Sequence, residues 1–163
     1  MRRFIVIAAI AVLFAAPVSV AAQEPMSVDL GSYNMIGKGV VVHVEAGFRC
    51  QPKPVVEFPW RSSWGPNTSP TIVVELRQSV SRKIAFGENT WYFHPDELCN
   101  GEQQAIGLDI LADPSGPPFK AGTAAIRVSG YADYEVVNYD NWLESYEVAQ
   151  RDTTGWISIK LGK

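Results

Sequence analysis

Apolar and polar residues alternate with a period of two through most of the chain after residue 36, which is the pattern of half-buried strands rather than helices. Between Gly37 and Ala46, the residues Val40, Val42, Val44 and Ala46 fall on one face while Val41, His43 and Glu45 fall on the other. From Thr71, the residues Ile72, Val74 and Leu76 face one way and Glu75, Arg77 and Ser79 the other. Gln104 to Ala112 carries Ile106, Leu108 and Ile110 on one side, and Thr154 to Leu161 carries Ile157, Ile159 and Leu161. Ala124 to Val136 reads as one long strand or a bent pair, and Asn89 to His94 as a short aromatic-rich strand. Trp142 to Gln150 is ambiguous, since Leu143, Tyr146 and Ala149 fit a helix while Tyr146 and Val148 fit a strand.

The breaks are as informative as the strands. Pro52, Pro54, Pro59, Pro66 and Pro70, together with Trp60 and Trp64, mark residues 52–70 as an edge or long loop, because proline removes ladder donors. A short strand at Val55 to Phe58 fits within it. Asp113-Pro114-Ser115-Gly116-Pro117-Pro118 is a turn by composition. Residues 23–36 are polar and mixed, and are expected to be a short leader. About seven short strands separated by turns predict an all-β fold, a single antiparallel β-sandwich over residues 37–163.

The first residues belong to a different pattern. Arg2 and Arg3, an apolar run from Phe4 to Ala16, and small residues at Val20-Ala21-Ala22 make the layout of a secretory signal peptide, an N-terminal helix over residues 1–22. The arginine pair suits an ordinary export signal and resembles a twin-arginine one. Removing 22 of the 163 residues leaves 141, enough for one domain, and losing the two arginines takes the net charge from −3 to −5. An acidic chain lacks the basic footprint of a nucleic-acid binder and has little affinity for anionic lipid. No later apolar run approaches the roughly 18 residues of a bilayer span. A secreted, periplasmic or cell-surface location follows. In such an oxidising compartment Cys50 and Cys99 are expected to pair. A bridge across 49 residues would stabilise the fold by roughly 4 kcal/mol in the chain-entropy account.

One stretch carries a family likeness. Phe93-His94-Pro95-Asp96-Glu97-Leu98 is followed by Asn100-Gly101-Glu102, an alternating strand and a Pro/Gly turn; Ala121-Gly122-Thr123 then leads into Ile126-Arg127-Val128. Over about Trp91 to Tyr131 this order resembles the immunoglobulin-like sandwich modules of secreted and surface proteins, including glycosidase accessory domains. The resemblance implies a non-catalytic role and carries over no catalytic residue.

Candidate chemistry is sparse. His43 and Glu45 share a strand face, and His94 precedes Asp96 by two; if the pairs met, they could hold zinc for a small metal-dependent or carboxylate hydrolase. Asp133, Glu135, Asp140 and Glu144, with Asn138 and Asn141, form the densest set of oxygen ligands and would suit calcium, although their spacing departs from the EF-hand. Otherwise no cofactor is expected. Trp60, Trp64, Tyr139 and Trp142 are candidates for a ligand-contact platform, since aromatic faces with polar rims hold sugar rings. Core filling is the competing use for each of them. Nucleophilic catalysis lacks a G-x-S-x-G elbow, no phosphate loop is present, and Asn67-Thr68-Ser69 is a glycosylation sequon followed by Pro70. The expectation is an exported, non-catalytic binding or structural module contacting a polysaccharide or a surface protein. A surface-assembly subunit joined by strand addition is the other non-catalytic reading.

Overall fold

Period-two alternation is realised as eleven strands in a computed structural model that describes residues 26–64, 70–138, 140, 141 and 144–162. The segment expected to be a signal peptide, the Asn67 sequon, Tyr139 and Trp142 lie outside the described residues. The strands are β1 (Ser27–Ile36), β2 (Val41–Arg49), β3 (Trp60–Trp64), β4 (Thr71–Val80), β5 (Lys83–Tyr92), β6 (Gln104–Leu111), β7 (Gly122–Tyr131), β8 (Tyr134–Asn138), β9 (Ser145–Val148), β10 (Arg151–Thr153) and β11 (Ile157–Leu161). A single helical turn, α1 (Pro95–Leu98), precedes Cys99. Among the described residues no helix is long and apolar enough to cross a membrane.

All pairings are antiparallel. One sheet runs β1–β2–β6, a second runs β10–β7–β4–β5 with β11 also on β7, and a third, smaller sheet runs β3–β8–β9. The faces read from the alternation are the buried ones: Val42, Val44 and Ala46 of β2, Ile72, Val74 and Leu76 of β4, and Ile126 and Val128 of β7 enter one apolar cluster. Phe48, Trp91 and Phe93 pack within it at centroid separations of 5.3–5.8 Å. Burying these side chains is the main favourable term, worth about 1.5–3 kcal/mol for each large residue.

The margins of the first two sheets meet through contacts outside the ladders. The Asp113 N–H donates to Phe86 O at 2.7 Å and the Asn89 amide to Asp109 O at 2.9 Å, which draws β6 against β5. Gly87 permits this approach, because a Cβ there would stand 2.4 Å from Leu111 O. At the far margin the Val28 N–H donates to Asp152 at 2.8 Å. Two buried glutamines act as surrogate strand partners. Gln150 accepts from the Gln51 N–H at 2.8 Å and donates to its carbonyl at 2.9 Å; Gln78 accepts from Lys120 N–H and donates to Lys120 O, both at 2.7 Å.

Three expectations are corrected. The described residues form eleven strands rather than about seven, because Ala124 to Val136 divides into β7 and β8 while β1, β3 and β10 escaped the pattern. Much of residues 23–36 is not a leader but strand β1, whose register shifts between Leu30 and Tyr33 and so breaks the alternation. The proline-rich stretch holds a strand at Trp60–Trp64 and none at Val55 to Phe58. The ambiguous segment is strand at Ser145–Val148.

Candidate functional site

Sheet β3–β8–β9 is where the aromatic residues collect. Its register sets Trp60 opposite Asn138, Ser62 opposite Val136 and Trp64 opposite Tyr134, with Val136 opposite Tyr146 and Tyr134 opposite Val148. Directly opposed residues share a face, so Trp60, Trp64, Tyr134 and Tyr146 stand on one side. Arg61, Ser63, Glu135, Ser145 and Glu147 occupy the other.

Residues 51–59 lie along the aromatic face, tied down by the Ser62 hydroxyl donating to Pro54 O at 2.6 Å. Between this segment and the sheet is a groove of about 750 Å³ lined by Val56, Glu57, Phe58, Pro59, Trp60, Val136 and Tyr146. The Trp60 and Tyr146 rings meet at 6.2 Å with planes inclined at 52°. Phe58 is 82% exposed and Tyr146 52%, an unusual outlay of apolar surface to leave in water.

Trp64 has a different job. Its indole N–H donates to Asp96 at 2.8 Å, and its ring meets Tyr134 edge-on at 6.0 Å. Lys53 Nζ reaches the same Asp96 oxygen at 2.6 Å and lies 5.7 Å from the Trp64 ring centre. The lysine and then the indole hold the Asp96 carboxyl below its ordinary value. Burial, with a contribution from Tyr146, pushes the Tyr134 phenol up. The Cys50–Cys99 bridge forms as expected and joins the start of the groove-lining segment to the end of α1. Thus the disulfide and the Lys53–Asp96–Trp64 clamp fix one wall of the groove.

No protein-family model matches this chain, and no curated protein matches it. The site therefore stands on its own geometry.

The metal candidates do not converge. Among the described residues no group of three or more His, Cys, Asp or Glu side chains is placed to hold a metal ion. His43 Nδ1 pairs with Asp109 across β2 and β6 at 2.7 Å, Glu45 accepts from Ser32 at 2.7 Å, and His94 and Asp96 sit at α1. Asp133 is fully buried and ion-paired with Arg151, whose pKa it raises. Glu144 accepts from Asn138 at 2.8 Å and Asn141 at 2.9 Å, while Asn138 accepts from the Asp140 N–H at 3.0 Å. Those oxygens fold the turn after β8. Glu135 projects on the opposite face of its strand from Tyr134 and Val136.

The sequence singled out Trp60 as a contact residue but neither Phe58 nor Tyr146. A phenylalanine directly before Pro59 in a proline-rich stretch was the available signal for the first. The second depends on two successive strand registers, which composition does not encode.

Proposed function

We propose that this protein is an exported, non-catalytic binding module with an immunoglobulin-like sandwich, and that the groove beside Trp60 and Tyr146 takes a neutral polysaccharide. The observation that carries the reading is the pair of inclined rings bordering a groove whose rim exposes Phe58. A pyranose offers an apolar C–H face to such rings and hydroxyls to the polar rim. Glu57 in the lining disfavours an anionic chain at this position. Export is supported by the basic, apolar and small-residue order at residues 1–22 and by the disulfide.

The test is a glycan array probed with the purified protein, followed by titration of the best neutral oligosaccharide. Truncating a central tryptophan contact costs about 2 kcal/mol, so Trp60→Ala should raise Kd roughly thirtyfold. Retention of full affinity by a folded Trp60→Ala protein would remove the groove from the account.

Strand addition is the second reading, favoured by the terminal position of β9 in its sheet and the exposure of Ser145, Tyr146 and Glu147. It predicts concentration-dependent assembly that substitution of Ser145 by proline abolishes.

A further inference from the structure

The outward face of sheet β10–β7–β4–β5 carries a second feature unrelated to the groove. Glu75 and Arg77 of β4, Arg127 of β7 and Phe86 of β5 all project from it, since Glu75 is in register with Arg127 and Arg77 with Phe86. Trp156, from the connection between β10 and β11, joins them. The Arg77 guanidinium carbon lies 5.5 Å from the Phe86 ring centre and 4.5 Å from that of Trp156, and Arg127 lies 4.9 Å from Trp156. Phe86, Arg77, Trp156 and Arg127 thus alternate ring and cation across the sheet. Glu75, although on the outward face, is buried beneath this ladder and pairs with Arg127, while Arg77 approaches it at 3.6 Å. Two guanidinium groups face the buried Glu75 carboxylate, and Glu88, in register with Glu75 on the same outward face, supplies a second carboxylate away from Arg77.

The Arg77 guanidinium, stacked between the Phe86 and Trp156 rings, borders a cavity. A hollow of about 470 Å³ is lined by Arg77, Gln78, Ser79, Ile84 and Phe86, within the size range of small-molecule sites. Its chemistry is split: a planar, oriented cation, a hydroxyl, and the apolar surfaces of Phe86 and of Ile84, which is 60% exposed. Arg82 and Lys83 at the tip of the β4–β5 hairpin add positive charge beyond it. An otherwise acidic chain concentrates cations here.

We propose that this hollow binds a carboxylated sugar, a uronate unit of an acidic polysaccharide, with the Arg77 guanidinium on the carboxylate and the Phe86–Ile84 surface under the ring. A guanidinium forks onto a carboxylate through two parallel hydrogen bonds, and one already held between two rings loses little freedom on doing so. The pyranose C–H face matches the apolar floor and its hydroxyls reach Ser79. The proposal does not rest on the groove reading, because it uses a different sheet.

The experiment is calorimetric titration of the purified protein with an oligogalacturonate, with its fully methyl-esterified form and with hexanoate. The acid binds, more weakly as salt rises, while ester and hexanoate bind at least about tenfold less well, as loss of a charged hydrogen-bond pair requires. Arg77→Gln weakens the acid by about tenfold or more and Trp60→Ala leaves it unchanged. Ile84→Ala, at an exposed position that folding does not depend on, weakens it several-fold and keeps the test valid if Arg77→Gln destabilises the sheet. Equal binding of the ester or of hexanoate, no binding of the acid, unchanged affinity in both Arg77→Gln and Ile84→Ala, or loss on Trp60→Ala overturns the proposal.

Discussion

Asp96 receives donors from two directions, the ammonium of Lys53 and the indole N–H of Trp64, and so fastens the groove-lining segment to the aromatic sheet at a single carboxylate. Its pKa is lowered in the folded protein. A depressed carboxylate stabilises the fold fully above its unfolded value of about 3.9, and that contribution fades as the pH falls toward the lower folded value. The clamp is exposed, so its effect is local. Acid titration of tryptophan fluorescence should show a transition below about pH 4 that Asp96→Asn abolishes, with the variant resembling the acid form at neutral pH. An identical titration in the variant would place the change elsewhere. Residue type alone had nominated both Trp60 and Trp64 for ligand contact; the two divide because Trp64 has a buried-edge partner and a hydrogen-bond acceptor within reach, whereas Trp60 borders open space.

At the scale of elements, legibility followed burial. Strands β2, β4, β6 and β11 were readable because one face of each is wholly committed to the core, which imposes strict alternation. Strand β1 was not, because it is an edge strand with a register shift; β3 was hidden by the prolines around it. The β4–β5 hairpin was hidden too, since Ser81 and Arg82 form its two-residue turn with φ of 50° and 66° in place of the expected Asn-Gly. Left-handed backbone costs a non-glycine residue roughly 1 kcal/mol, so Ser81→Asn with Arg82→Gly should raise stability by about 1–2 kcal/mol in denaturant unfolding. The surrogate strands formed by glutamine side chains have no periodic signature at all. Gln150→Leu leaves the part-buried N–H and carbonyl of Gln51 without these partners and should cost about 1 kcal/mol or more, read from the unfolding midpoint.

For the whole molecule, two sheets supply most of one apolar cluster and a third, smaller sheet presents aromatics to an open groove. Acidity in the sequence argued against a nucleic-acid partner, but it could not reveal that Arg77 and Arg127 meet aromatic rings on one sheet face and that Trp60 and Tyr146 border a groove on another, since both depend on register between strands distant in the chain. The groove is the central claim. Hydrogen exchange of the intact protein, with and without the neutral oligosaccharide selected on the array, tests it most directly. The account predicts ligand-dependent slowing confined to amides of residues 54–62 and 134–148, and in the Trp60→Ala protein the same slowing only at roughly thirtyfold higher ligand concentration. Slowing that maps to other strands, or that appears in Trp60→Ala at the same ligand concentration as in the parent, would contradict it.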